Sequence, residues 1–85
     1  MADMTIYTTR RSIDCDRAKR FLDEEGIFYD EVDVEKSPDG ASRVQNANGG
    51  RCVVPTFEVG GEMFSLQPFN LKQLMRELEK RGIDE

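Results

Sequence analysis

From Cys15 onward, apolar residues recur at three- and four-residue steps. Cys15, Ala18, Phe21 and Leu22 fall on one face, while Asp16, Arg17, Lys19 and Arg20 fall on the other. The spacing predicts a helix from Ser12 to Glu25, opened by a serine cap and stopped by Gly26 in a left-handed conformation. A short strand precedes it, Thr5 to Thr8, built on Ile6 and Tyr7. Ile27 to Val34 then reads as a second strand, with Phe28, Val32 and Val34 on one face and Glu31 and Asp33 on the other. Asp30 falls on the apolar side of that alternation. Ser37-Pro38 suits a cap followed by a first helical residue, which predicts a helix from Pro38 to Ala47 with Ala41 and Val44 inward. Gly40 and Asn46 work against that helix.

Asn48-Gly49-Gly50 reads as a turn, and Val53 to Val59 as a strand whose Pro55 has to lie near its beginning or at a sheet edge. Gly60-Gly61 is a tight hairpin into a last strand, Glu62 to Leu66. A final helix opens at Asn70, with Gln73 three residues on, and carries Leu71, Leu74, Met75 and Leu78 as one stripe until Gly82 ends it. The order is β-α-β-α-β-β-α. Helical crossovers between the first strands imply parallel pairing, and the Gly-Gly turn implies an antiparallel pair at the end. An α/β fold results, with a four-stranded mixed sheet and helices on both faces.

The length of 85 residues fits one small domain, 1–85, burying about 60–65% of its unfolded surface. A formal charge of −5, with 34% charged residues, argues for solubility and against a general nucleic-acid binder. No apolar run approaches the 18 or so residues of a membrane helix, and MADMTIY lacks the regions of a signal peptide, so the cytoplasm is the expected location. Two cysteines, Cys15 and Cys52, are too few for a secreted disulfide framework. With no histidine, a zinc site would need carboxylates that show no ligand spacing, so no metal is expected, and a hydrolase would lack its usual general base.

Candidate chemistry therefore rests on Cys15, in the first turn of the first helix. Unpaired N–H groups and the helix dipole favour an anion there, which suits a thiolate nucleophile. The same inward-facing position suits an inert thiol packed on the core.

The segment Tyr7 to Leu22, YTTRRSIDCDRAKRFL, resembles the active-site segment of glutaredoxins and of their mycoredoxin-like branch. In that family Y-T-T-x-x-C-x-x-C is followed by R-A-K and a hydrophobic pair. Ser12 stands where the family has its first, nucleophilic cysteine, and Cys15 matches the second, resolving one. The resemblance extends from Thr5 to about Leu78 and implies the thioredoxin fold. Val53-Val54-Pro55, within NGGRCVVPTF, matches the family's T-V-P, which implies a cis Val54–Pro55 bond beside the active-site turn. It also implies that the Val54 backbone pairs, like a short strand, with a thiol-bearing substrate. Before the last helix, Ser65-Leu66-Gln67-Pro68-Phe69-Asn70 differs from the G-G-x-D-D stretch that holds glutathione in many members. It is closer to the mycoredoxin-like branch.

Several further residues have two readings each. Arg10, Arg11, Arg17, Lys19 and Arg20 surround the turn, either steering an anionic thiol compound or forming a solvated face balanced by Asp14 and Asp16. Arg51 either clamps a substrate carboxylate or is an exposed turn residue. Cys52 is either a second thiol approaching the first helix or an unpaired one near the sheet edge. The resemblance implies a thiol-disulfide oxidoreductase of cell redox homeostasis, with Ser12 and Cys15 at the catalytic positions and Arg11, Arg51, Val54 and Pro55 at the substrate. It would hold no bound cofactor, use glutathione or another low-molecular-weight thiol as co-substrate, act on such thiols or on protein disulfides, and be monomeric. Serine cannot repeat a thiolate's attack, so two other readings stand beside it. One is a thiol- or peptide-binding module without turnover. The other is an engineered cysteine-to-serine form of an active enzyme.

Overall fold

The computed structural model describes residues 4–10, 12–66 and 69–83. Four strands and three helices follow the expected order: β1 (Met4–Thr8), α1 (Ile13–Glu24), β2 (Asp30–Asp33), α2 (Pro38–Ala47), β3 (Thr56–Val59), β4 (Glu62–Ser65) and α3 (Leu71–Lys80). The sheet order is β2-β1-β3-β4, with β1 and β2 parallel and the other two pairings antiparallel.

Alternation along the strands sends side chains to two cores. Met4, Ile6, Phe57 and Val59 pack with Ala18 and Leu22 of α1 and Leu74 and Leu78 of α3. On the opposite face Tyr7 packs with Val34 and with Val44 of α2. Phe57, fully buried, stacks on Phe64 with ring centroids 5.1 Å apart. Burying a phenylalanine this way contributes about 1.5–3 kcal/mol, which makes the β3–β4 hairpin an anchor of the first core.

The strand expected over Ile27 to Val34 is shorter, and Phe28 is 86% exposed rather than inward-facing. Gly26, at φ 70°, turns the chain back, and Ile27 N–H donates to Leu22 O at 2.9 Å. That closure seats Ile27 and Tyr29 on the α1–α3 core, so residues 27–29 are a packed connection and Phe28 points away. Val53 to Pro55 likewise precede β3 instead of belonging to it, and Leu66, though buried, follows β4. Ser12 caps α1 from outside the helix. In α3 only Leu74 and Leu78 of the expected stripe are buried, while Leu71 and Met75 are 45% and 42% exposed.

Gly40 has a positive role that its helix propensity conceals. A Cβ there would lie 2.7 Å from Val32 Cγ1, so the bare backbone lets α2 sit against β2. Among the described residues, no helix is long and apolar enough to cross a membrane.

Candidate functional site

Strand register brings the candidate residues to one end of the sheet. Thr8 pairs with Asp33, and Tyr7 with Thr56. The segment leaving β1 toward Ser12, the segment leaving β2, and the Val53–Pro55 segment leading into β3 therefore share that end.

Ser12 has extended backbone angles and caps α1, its Oγ accepting a hydrogen bond from Cys15 N–H at 3.2 Å. Its carbonyl accepts from Asp16 N–H at 3.3 Å. Ser12 is half-buried, so its side chain is open on one side, whereas Cys15 is 0% exposed. The inward direction of Cys15 read from its spacing is the observed one. Asp14 and Asp16 in the first turn complement the positive end of the helix dipole. Ile13, beside Ser12, is 74% exposed.

The Val54–Pro55 bond is cis. Pro55 is buried, and Val54 packs at the margin of the Tyr7–Val34–Val44 core. A polar network that the sequence reading did not find secures this segment. Thr56 Oγ1 donates to Val53 O at 2.6 Å, and Asn48 Nδ2 donates to Val44 O at 2.8 Å and lies 3.4 Å from Thr56 Oγ1. Asn48 Oδ1 accepts from Ser65 Oγ at 2.7 Å. One asparagine thus ties the end of α2 to β3 and β4. In sequence it reads only as a turn residue.

Both cysteines are free, and Cys52 is exposed. Arg51 is exposed in the turn after α2, its N–H donating to Asn48 O at 3.4 Å. Arg11 lies outside the described residues.

The basic cluster around the turn is divided. Lys19 donates to Glu31 Oε2 at 3.0 Å, an oxygen that also accepts from Thr8 Oγ1 at 2.8 Å. Burial alone would raise the Glu31 carboxyl, but the hydrogen bonds from Lys19 and Thr8 outweigh it and hold the group below the usual range. The same hydrogen bond raises Lys19. Lys19 is therefore engaged within the fold. Arg10 is exposed and, with Asp33, Glu35 and Lys36, lines a cleft of about 490 Å³ at the same sheet end. Across the sheet, Arg43 Nε donates to Tyr7 Oη at 3.1 Å, Tyr7 Oη donates to Glu58 Oε1 at 2.7 Å, and Arg43 pairs with Glu58. That triad joins α2 to β1 and β3 and is structural in its surroundings.

The chemistry available is that of an open helix N-terminus with a hydroxyl at its mouth, a sealed thiol one turn inside, and an ordered prolyl segment at the same end of the sheet. The family model for glutaredoxins matches residues 4–64. Two Mycobacterium tuberculosis proteins that carry glutaredoxin names, MT3292 of strain CDC 1551 / Oshkosh and Rv3198A of strain H37Rv, are each 46% identical over 55 residues. That match spans 65% of this chain and 66% of each relative, just under two thirds of their length. A variant of the thioredoxin-like protein BC3987 superposes with a TM-score of 0.77 at 24% identity, over 93% of this chain and 97% of that one. The glutaredoxin-like NrdH-redoxin of Escherichia coli, whose activity profile is described as thioredoxin-like, gives 0.68 at 26% identity over 86% and 91%. A buckwheat glutaredoxin in complex with glutathione gives 0.71 at 18% identity over 98% and 82%. The fold is the thioredoxin fold.

Proposed function

This chain belongs to the glutaredoxin family, and from that premise we propose that its site receives a low-molecular-weight thiol or a protein disulfide, with the atom at position 12 deciding between binding and exchange. The observation that carries the reading is the Ser12–Cys15 pair. The hydroxyl stands at the open mouth of α1, and the only thiol nearby in sequence is fully buried. A serine hydroxyl is far less acidic than a thiol, and with no histidine in the chain there is no usual base to activate it. As the chain stands, then, the site binds without rapid turnover.

A thiolate at position 12 changes this. It would attack one sulfur of a disulfide R–S–S–R′, forming a mixed disulfide with R–S and releasing R′–S⁻, which takes up a proton. Cys15 then loses its proton and attacks the sulfur at position 12, closing an internal disulfide and releasing R–SH. Two electrons from glutathione or another thiol reductant restore both thiols. Val54 and Pro55 position the incoming disulfide by backbone pairing, and Arg11 and Arg51 supply cations for a substrate carboxylate. The protein acts as a monomer in cytoplasmic redox homeostasis.

Reduction of a small mixed disulfide by the chain and by its Ser12→Cys variant tests the reading, with glutathione and with a second thiol as reductant. The variant is expected to be faster by orders of magnitude with at least one of them. Equal rates, fast or slow, would overturn the assignment of position 12.

A further inference from the structure

Between α1 and the start of α3 runs a groove of about 590 Å³ that the site described above does not use. Its walls carry Arg17, Arg20 and Lys72, and its apolar surface comes from Phe21, Phe69 and Leu71. We propose that this groove docks a short acidic segment, bearing an apolar anchor residue, of the protein whose disulfide reaches position 12. The proposal rests on the exchange-site reading for its choice of partner.

Three observations converge on it. The first is charge use. Lys19, Arg43, Lys80 and Arg81 form the ion pairs of the fold, whereas among the described residues Arg17, Arg20 and Lys72 form none. All three are exposed on the groove, with Glu24 as the one carboxylate among the described residues that line it. The second is the apolar surface. Leu71 is nearly half exposed although it opens an otherwise amphipathic helix, and Phe21 and Phe69 only partly enter the core. The third is position. Arg17 lies on α1 little more than one turn beyond its cap, Ser12, so a chain engaged here continues toward the open helix mouth.

Charge also limits the partner. The chain carries −5 overall, which opposes a long polyanion such as a nucleic acid. At physiological ionic strength the screening length is about 8 Å, so a short acidic segment senses the local cations and little of the distant acids.

The test is fluorescence anisotropy with a labelled peptide, Glu-Asp-Phe-Glu-Asp, against the chain with Ser12 in place, so that binding is read without any exchange chemistry. Binding is expected to weaken by about tenfold or more in Arg17→Glu/Lys72→Glu and to fall steeply with salt. It is expected to be retained in the control Lys36→Glu/Lys80→Glu, which alters net charge by the same amount away from the groove. All four side chains are exposed, Lys80 gives up only a surface pair with Glu77 worth about 0–1 kcal/mol, and circular dichroism checks that both variants fold. An all-lysine analogue, Lys-Lys-Phe-Lys-Lys, should not bind. No binding of the acidic peptide, or equal loss in both double variants, overturns the proposal. Because Ser12→Cys exchange with a small disulfide is read separately, failure of the exchange reading would leave that assay flat while peptide binding remained.

Discussion

The Oγ of Ser12 accepts the backbone N–H of Cys15 at 3.2 Å, so one hydroxyl both caps α1 and occupies the point where the helix faces solvent. Capping and chemistry therefore compete for the same atom. Replacing Ser12 by alanine should cost about 0.5–2 kcal/mol of stability, with asparagine in the same place nearly neutral. Ser12→Cys should fall between alanine and serine and remain folded. Urea unfolding of the four proteins checks the order, and a neutral alanine substitution would show that the cap carries no stability.

Gly40 should not tolerate a methyl group. Alanine is favoured over glycine in a helix by about 1 kcal/mol, but its Cβ would lie 2.7 Å from Val32 Cγ1. Overpacking of this kind costs about 1–3 kcal/mol, which outweighs the gain. Gly40→Ala is expected to be destabilised, and Val32→Ala combined with it should lose less than the sum of the two single changes. Strict additivity in denaturation would show that the contact relaxes at no cost.

The Lys19–Glu31–Thr8 cluster gives the stability a pH signature. The Glu31 carboxyl lies below its ordinary value of 4.5 in the folded chain, so its contribution is present above that pH and is lost as the pH falls through the lowered value. Lys19, raised above 10.5, contributes below that pH and loses its contribution as the pH rises through the raised value. Glu31→Gln should be less stable than the parent at pH 7, and the difference should narrow at an acid pH below 4.5 as the carboxyl takes up its proton. Denaturation midpoints at the two pH values decide this. A difference that stays constant would assign the loss to packing.

The parts of the fold legible in the sequence are those determined by neighbours along the chain. Ser12, Ser37 and Asn70 announce their helices because each cap bonds a backbone N–H three residues on, a local event. Cys15 announces its burial through its step to Ala18 and Leu22. Phe28 did not announce its exposure. Alternation looks the same in a strand as in a connection seated on a helix, and the Ile27–Leu22 bond that distinguishes them is set by Gly26. The closeness of Gly40 to Val32, the ties of Asn48 to Thr56 and Ser65, and the gathering of Arg17 and Arg20 with Lys72 all join different elements of the fold. Turn propensity and charge spacing carry no trace of such contacts. The site divides the same way: its turn and prolyl segment stand out as motifs, while the groove beside them needed α3 in place.

A map of thiol reactivity at neutral pH tests directly whether position 12 decides between binding and exchange. The folded chain and its Ser12→Cys variant are each treated briefly with a small aromatic disulfide, quenched and digested, and the modified positions are read by mass spectrometry. In the unsubstituted chain the exposed Cys52 should be labelled and the buried Cys15 left intact. In the variant, position 12 should react ahead of Cys52 and pass on to a disulfide with Cys15, because the new thiol stands at the N-terminal end of α1. Rapid labelling of Cys15 in the unsubstituted chain would show that this thiol is not sealed, and a variant whose position 12 reacts no faster than Cys52 would show that the helix end does not activate a thiol there.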